Sequence, residues 1–185
     1  MQADSIGRHL LTEINMTIVC CWLDDSYGRS RITAVADARV CSEVGGKWAP
    51  LNDTTSKLFR IPVHCFTEFD CSSGTWVSPY YTTELGLGFA GYCLEAMSIA
   101  ALYRQVVERL AVVDPEGAAR RRPEPRLLVE LLLEITRRYF AEHSSDLPVE
   151  FLLFSYSPEG KPWIAQIEKK KGFEPALKYV SYGAP

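Results

Sequence analysis

The sequence predicts a single α+β domain in which two sheets pack against each other and helices cover them from outside. Three observations carry this prediction. Extended and helical segments follow one another in the order β-β-β, α-α, β-β, which is typical of layered folds. The first strands are apolar at nearly every position, as expected of strands that are covered on both faces. The chain of 185 residues is long enough for one hydrophobic core and too short for two.

A β-hairpin is predicted close to the beginning of the chain. Residues 17–23 are rich in β-branched and small apolar side chains, residues 24–28 have the composition of a turn, and residues 31–36 return as a second strand.

A loop and a third strand are predicted next. Residues 42–52 contain two adjacent glycines and a proline, which favour a loop. Residues 54–66 form the third extended segment, and Pro62 within it favours a position at a sheet edge or at a bulge.

Two helices are predicted in the middle of the chain. A glycine-interrupted strand at residues 86–91 leads into a helical period, and residues 114–125 end that helix and connect it to a second one. The buried stripe predicted for the first helix is Leu94, Met97, Ala101, Leu102, Val106, Leu110 and Val113. The stripe predicted for the second helix is Leu128, Leu131, Leu132, Ile135 and Tyr139. Because a short exposed segment joins them, the helices should lie antiparallel.

The chain then returns to β-structure. Residues 149–156 and 163–168 flank a turn at residues 157–160 and predict a second hairpin. One more strand is predicted from residue 178.

Composition limits the classes of partner. The net charge of −3, from 20 basic and 23 acidic residues, gives no electrostatic reason to expect nucleic acid or an anionic membrane. Neither a membrane-spanning run nor a secretory signal is recognised, so we expect a cytoplasmic protein. The six cysteines include no C-x-x-C pair, and neighbours such as Cys20 and Cys21 point to opposite faces of a strand, so we expect reduced thiols and no metal site or cofactor.

Four short motifs in order along the chain carry a resemblance to a known family. They are MTIV from Met16, VADARV with its Asp-x-Arg signature, SKLF with a strand-opening Lys57, and GFAGYCLEA at the turn into the first helix. Together they resemble the proteasome β-subunits and related bacterial peptidases, which are N-terminal nucleophile hydrolases. The resemblance implies an αββα four-layer sandwich over residues 17–185, with residues 1–16 as an N-terminal extension or propeptide. Since the chain ends where the family continues through two more helices, we expect an incomplete C-terminal helical layer.

The resemblance also implies a catalytic constellation. Thr17 would be the nucleophile, and its own α-amine, once residues 1–16 are removed or translation starts at Met16, would be the general base. Asp37 and Lys57 would lie beside it, the backbone N–H of Gly91 would bind the oxyanion, and Ser181 would be a weak candidate for supporting the amine.

A substrate pocket follows from the same resemblance. Val40, Phe89 and Cys93 match positions that line the primary specificity pocket of the family. The large Phe89 favours a shallow pocket for small or medium apolar side chains.

Each catalytic assignment has a structural alternative. Thr17 is also an ordinary strand residue, Asp37 could form a salt bridge with Arg39, Lys57 could be a solvent-facing strand end, and Gly91 could be a turn glycine.

These alternatives leave several functions open. The leading one is a threonine peptidase subunit in a homo-oligomer, with peptides or unfolded proteins as substrate and an ATPase unfoldase as a further partner that the family implies. A catalytically silent structural or assembly subunit is the second. A small-molecule-binding domain that shares only the fold is the third.

Overall fold

The structure, a computed structural model, describes residues 18–24, 31–44, 47–111 and 121–182. In these ranges the chain forms twelve strands and two helices. The strands are β1 (Val19–Asp24), β2 (Arg31–Ala36), β3 (Val40–Val44), β4 (Lys47–Asn52), β5 (Leu58–Phe66), β6 (Phe69–Asp70), β7 (Thr75–Trp76), β8 (Tyr81–Gly91), β9 (Leu110–Ala111), β10 (Val149–Tyr156), β11 (Pro162–Lys169) and β12 (Ala176–Tyr182). The helices are α1 (Cys93–Val107) and α2 (Pro125–His143).

A six-stranded mixed sheet organises these elements. Its strand order is β12-β11-β10-β8-β5-β9, and all of its pairs are antiparallel except β5 with the short β9. The pairs β1–β2, β3–β4 and β6–β7 form separate hairpins. β9 pairs only with Cys65 and Phe66, so most of the outer edge of β5 has no neighbouring strand within the described residues. Pro62 lies on this stretch of β5, which agrees with its predicted edge position.

Both described helices pack on one face of the six-stranded sheet. Side chains at alternate positions of the central strands, such as Ile61, Leu87 and Phe151, form one cluster with Ile99 and other buried residues of the helices. The buried hydroxyl of Tyr103 on α1 donates a hydrogen bond to the carbonyl of Leu128 on α2 at 3.1 Å. The core therefore lies between the sheet and these two helices.

The hairpin β1–β2 lies on the opposite face of the sheet. A Cβ atom at Gly88 of β8 would come within 2.6 Å of Val19 Cγ1 on β1 and within 3.0 Å of Leu58 Cδ2 on β5. Only glycine therefore allows β1 to pass this close to β8. At the other end of the hairpin, Ile32 N–H donates to the hydroxyl of Tyr156 on β10 at 3.3 Å.

The predicted loop at residues 42–52 is wrong. These residues lie in the β3–β4 hairpin, in which Cys41 pairs with Pro50 and Val44 with Lys47. Gly45 and Gly46, which favoured the loop, lie outside the described residues.

The predicted buried stripe of α1 is also wrong. Leu94, Met97, Ala101, Leu102 and Val106 are exposed, Leu110 lies beyond the helix on β9, and Val113 lies outside the described residues. The buried residues are Ala96, Ile99, Ala100, Tyr103 and Val107. Two alanines in this set let the helix approach the sheet closely, whereas the prediction followed the large side chains on the other face.

The second helix agrees better with its predicted stripe. Leu128 and Leu132 are buried, and the other three predicted residues, Leu131, Ile135 and Tyr139, are partly buried against the core.

No helix in the described part of the chain is long and apolar enough to cross a membrane. The described elements give one helical layer, the six-stranded sheet and a hairpin on its far face. The four-layer αββα arrangement stays a prediction.

Candidate active site

The candidate site is built around Asp37, which directly follows β2. Its backbone N–H donates to the carbonyl of Ile18 at 3.0 Å, and its side-chain Oδ1 accepts the N–H of Ile18 at 3.1 Å. Asp37 therefore binds both backbone groups of Ile18, which is the residue bonded to Thr17. Thr17 itself, the expected nucleophile, lies outside the described residues.

The same carboxylate oxygen binds Lys57. Lys57 Nζ lies 2.9 Å from Asp37 Oδ1, and only 2% of the lysine is exposed. The ammonium also donates a short hydrogen bond to the carbonyl of Arg39. A buried ammonium requires such acceptors, because an unpaired charge away from water is costly. The structure thus brings Asp37 and Lys57 together, as the sequence predicts, and Lys57 is not a solvent-facing strand end.

Local chain geometry explains the position of Lys57. It directly precedes β5, and its carbonyl accepts the N–H of Phe89 on β8 at 3.1 Å. The main chain is therefore fixed by the sheet, and the side chain extends to the end of β2. The centre joins the start of β1, the end of β2 and the start of β5.

The salt bridge between Asp37 and Arg39 that was the structural alternative does not form. Arg39 Nε pairs instead with Asp53 at 2.6 Å, and both side chains are largely exposed. Thr55 N–H also donates to the carbonyl of Ala38 at 3.1 Å. Asp53 and Thr55 thus contact the loop that carries Asp37 and the carbonyl of Arg39, and no sequence motif pointed to Asp53.

Gly91 lies at the junction of β8 and α1 with a φ of +100°. A Cβ atom there would overlap the carbonyl of Pro148 and come within 2.9 Å of Val149 Cα. Side chains rarely adopt this backbone conformation, and here the space is also filled. A structural requirement for glycine is therefore present, and it is compatible with an oxyanion role for the N–H.

The predicted pocket residues lie in different surroundings. Val40 is partly buried at the start of β3, and Cys93 is partly buried at the start of α1. Burial raises the pKa of the Cys93 thiol, and the positive charge of Lys57 acts in the opposite direction, so the thiol lies within the field of the ammonium. Phe89 is instead fully buried and stacks on Phe59, with ring centroids 5.9 Å apart. It belongs to the core and has no surface to offer a ligand in this chain.

Ser181 is not brought to the candidate centre. It lies on β12 at one side of the sheet, and Lys57 directly precedes β5 near the other side. Four strand spacings separate β12 from β5, or about 19 Å along the sheet. The backbone positions of Ser181 and Lys57 therefore lie on well-separated strands of the sheet.

An open groove begins next to Lys57. It has a volume of about 1140 Å³ and lies between β2 and the sheet face formed by β5, β8 and β10. Leu58, Pro62 and Phe154 supply much of its apolar lining, and an ion pair between Arg60 and Glu84 adds charged groups.

Gly88 is the first residue of the GFAGYCLEA motif, but the motif gave it no role of its own. Because Gly88 has no side chain, Val19 of β1 can pack directly on the sheet at this point, which places the start of the hairpin beside Lys57. The signal of Gly88 was present in the sequence as a glycine within the interior of a predicted strand.

Comparisons of this chain with protein-family models, curated proteins and solved structures found no match.

Proposed function

We propose that this chain is a threonine-type peptidase subunit of the N-terminal nucleophile class, with an αββα-type fold and Thr17 as nucleophile. The single observation that carries the proposal is the position of Asp37 Oδ1. This atom accepts hydrogen bonds from the Lys57 ammonium at 2.9 Å and from the N–H of Ile18 at 3.1 Å. The counter-ion of a buried cation therefore accepts a hydrogen bond from the residue that follows the proposed nucleophile.

Lys57 would act through its charge. A nearby cation lowers the pKa of an amine, because it disfavours a second positive charge. The α-amine of an N-terminal residue has an ordinary pKa of about 8, so a small decrease makes it neutral near pH 7. A neutral amine can accept the hydroxyl proton as general base.

The reaction would proceed in two steps. Thr17 Oγ attacks the substrate carbonyl carbon while the α-amine takes the hydroxyl proton. The C–N bond of the peptide then breaks as the amine returns the proton to the leaving nitrogen, which leaves an ester on Thr17. Water, deprotonated by the same amine, hydrolyses the ester and restores the hydroxyl. The N–H of Gly91 is the proposed donor to the developing oxyanion.

Substrate and setting complete the proposal. Peptides or unfolded proteins would be the substrate, with Val40 and Cys93 near the residue that is cut. The subunit would work in a homo-oligomer in the cytoplasm, with an ATPase unfoldase as a further partner and without cofactor, nucleic acid or membrane.

A covalent probe tests the chemistry directly. A chain that begins at Thr17 is incubated with a β-lactone, and the product is analysed by intact mass and peptide mapping. We expect one adduct on Thr17, none in Thr17→Ala, and retention in Thr17→Ser. Modification elsewhere, or none in a folded sample, would overturn the proposal.

A matched pair of lysine variants separates chemistry from folding. Lys57 and Lys169 are both buried and both paired with an aspartate, but Lys169 binds Asp146. Replacing either lysine by methionine removes the ion pair of a buried ammonium. We expect Lys57→Met to lower the rate of adduct formation by about 10²–10⁴-fold, whereas Lys169→Met leaves the rate in the folded fraction unchanged. Equal effects of the two variants would count against a role for the Lys57 charge.

A catalytically silent subunit is the second candidate. The observation in its favour is that Asp37 binds Ile18, next to β1, and also accepts a hydrogen bond from Lys57, next to β5, so these contacts connect β1, β2 and β5 without any reaction. The same β-lactone experiment distinguishes the two, since a silent subunit that begins at Thr17 would fold and remain unmodified.

A further inference from the structure

Arg39 has two carboxylates within its electrostatic reach. Its Nε donates to Asp53 Oδ1 at 2.6 Å, and 51% of the Arg39 side chain and 60% of the Asp53 side chain are exposed. The hydrogen bond to Asp53 and the charge of Asp53 raise the pKa of the Arg39 guanidinium, and the charge of Asp37 adds a smaller contribution. The guanidinium is therefore bound to one aspartate while it lies within the field of the other.

Asp37 is open to a competing cation. Its Oδ1 accepts hydrogen bonds from Lys57 Nζ at 2.9 Å and from the N–H of Ile18 at 3.1 Å, and 29% of its side chain remains exposed. A guanidinium binds a carboxylate best through two parallel N–H···O bonds, which engage both oxygens, whereas an ammonium binds as a point charge. A bidentate contact from Arg39 would therefore compete with Lys57 and Ile18 for Oδ1.

The turn between β4 and β5 holds Asp53 in place. The Oδ1 atom of Asn52 accepts the N–H of Thr54 at 2.6 Å and the hydroxyl of Thr54 at 2.8 Å, which closes a turn around Asp53. The N–H of Thr55 donates to the carbonyl of Ala38 at 3.1 Å and connects this turn to the loop after β2. Asp53 is thus presented to that loop by contacts on both sides of it in the sequence.

We propose that Asp53 is a positioning residue of the candidate centre, which holds the Arg39 guanidinium away from Asp37 and so keeps that carboxylate for Lys57. The backbone of Arg39 has the opposite relation to the centre, since its carbonyl accepts a hydrogen bond from Lys57. Arg39 therefore supplies an acceptor through its main chain and a competing cation through its side chain. Only the side chain needs to be restrained.

This role rests on the proposed function for its effect on a reaction rate, and it deepens that function by naming what keeps the counter-ion of Lys57 in place. The effect on Lys57 itself requires no reaction. It is measured on the full chain of 185 residues, in which Thr17 carries no free amine.

The side-chain ammonium of Lys57 reports on its partner directly. A proton–nitrogen correlation spectrum of the lysine ammonium groups is recorded, and Lys57→Met identifies the Lys57 signal by its loss. We expect Asp53→Ala to speed exchange of the Lys57 ammonium hydrogens with water by about fivefold, since an exposed ion pair can change populations by about that factor. The ammonium of Lys169, which is buried and paired with Asp146, is the internal control and should not change.

The backbone amide of Ile18 gives a second measurement. Its N–H binds the same oxygen of Asp37, so its hydrogen exchange should also become faster in Asp53→Ala. Unchanged exchange at both Lys57 and Ile18 in the folded variant would overturn the proposal. Asp53→Glu retains the carboxylate and should restore slow exchange.

Removal of the competing cation distinguishes this role from simple bracing of the loop. Arg39→Gln removes the guanidinium and keeps the carbonyl that binds Lys57. If Asp53 restrains a competitor, the double variant Arg39→Gln with Asp53→Ala should show slower exchange at Lys57 than Asp53→Ala alone. If the ion pair only stiffens the loop, the second substitution restores nothing. Exchange in the double variant as fast as in Asp53→Ala would overturn the proposal.

The reaction provides the corresponding test at the candidate centre. In a chain that begins at Thr17, we expect Asp53→Ala to lower the rate of β-lactone modification by about fivefold, and Arg39→Gln to reverse much of that loss in the double variant. A rate that falls further in the double variant would contradict competition by Arg39.

The two proposals fail separately. Faster exchange at Lys57 in Asp53→Ala without any modification of Thr17 would contradict the chemistry and leave the role of Asp53 supported. Modification of Thr17 at the parent rate, with unchanged exchange at Lys57 in Asp53→Ala, would do the reverse.

Discussion

Asp37 Oδ1 lies 2.9 Å from Lys57 Nζ, although 19 residues separate the two side chains in the sequence. Lys57 is almost fully buried, whereas 29% of the Asp37 side chain remains exposed. The pair therefore connects the interior of the sheet with the surface at the end of β2. Loss of either partner leaves the other without its charge complement.

Asp37→Ala should lower the free energy of unfolding by about 3 kcal/mol, because it leaves a buried ammonium without its counter-ion. Urea unfolding followed by circular dichroism measures the change. Asp53→Ala is the matched control on the neighbouring loop, where the pair with Arg39 is solvent-exposed. We expect the control to shift the midpoint only slightly. Similar shifts for both variants would mean that Lys57 finds another partner.

Gly88→Ala should destabilise the protein by about 1–3 kcal/mol, since the new methyl group would overlap Val19 Cγ1. Valine is stiff about χ1 and cannot move aside easily. Val19→Ala removes the overlapping atom, so the double variant should be more stable than the sum of the single effects predicts. Additive effects in a double-mutant cycle would show that Gly88 is not where β1 meets the sheet.

Acid should weaken the contact of Asp146 with Lys169. Hydrogen bonds from Lys169 and from the N–H of Gly172 hold the pKa of Asp146 below its ordinary value. A carboxylate with a lowered pKa in the folded state stabilises the protein above its unfolded pKa of about 4, and this contribution disappears as the pH falls through the folded pKa. Asp146→Asn should thus be less stable than the parent at pH 6, and the difference should shrink as the pH falls below about 4. Unfolding midpoints at several pH values check this, and a constant difference would contradict it.

Thiol labelling should follow burial. Burial raises the pKa of Cys21 to about 12, with a further contribution from Cys20, and burial also raises the pKa of Cys65. Cys71 is exposed. With iodoacetamide at pH 8 we expect Cys71 to react first, and Cys21 and Cys65 to react only after unfolding, because the thiolate is the reactive form. Peptide mapping over time, with a urea-unfolded control, measures the order. Early labelling of Cys21 would show that β1 leaves the sheet readily.

Local patterns predicted much of the secondary structure. The β1–β2 hairpin was recognised from apolar runs around a polar turn, and the β10–β11 hairpin from the turn around Gly160. The step from β8 through Gly91 into α1 was recognised from glycines followed by a helical period.

The wrong predictions concern contacts between distant segments, which the sequence does not show. Which face of α1 is buried depends on how closely the helix can approach the sheet. The face with the small Ala96 and Ala100 is buried, and the face with the larger Leu94 and Met97 is exposed. Residues 42–52 were interpreted by composition as a loop, although residues 42–44 belong to β3 and residues 47–52 to β4.

The candidate site was predictable only in part. The meeting of Asp37 with Lys57 followed from a family resemblance, not from spacing. The partner of Arg39, the role of Gly88 and the burial of Phe89 depend on contacts between distant segments, which no local pattern reports.

The packing of the β1–β2 hairpin against Gly88 has a consequence for folding. The groups that surround Lys57 come from three segments whose meeting requires closure of long loops, and such contacts form slowly. A newly made chain therefore has no assembled centre until β1 and β2 pack on the sheet beside β5, so this packing step and the onset of any activity should coincide in time.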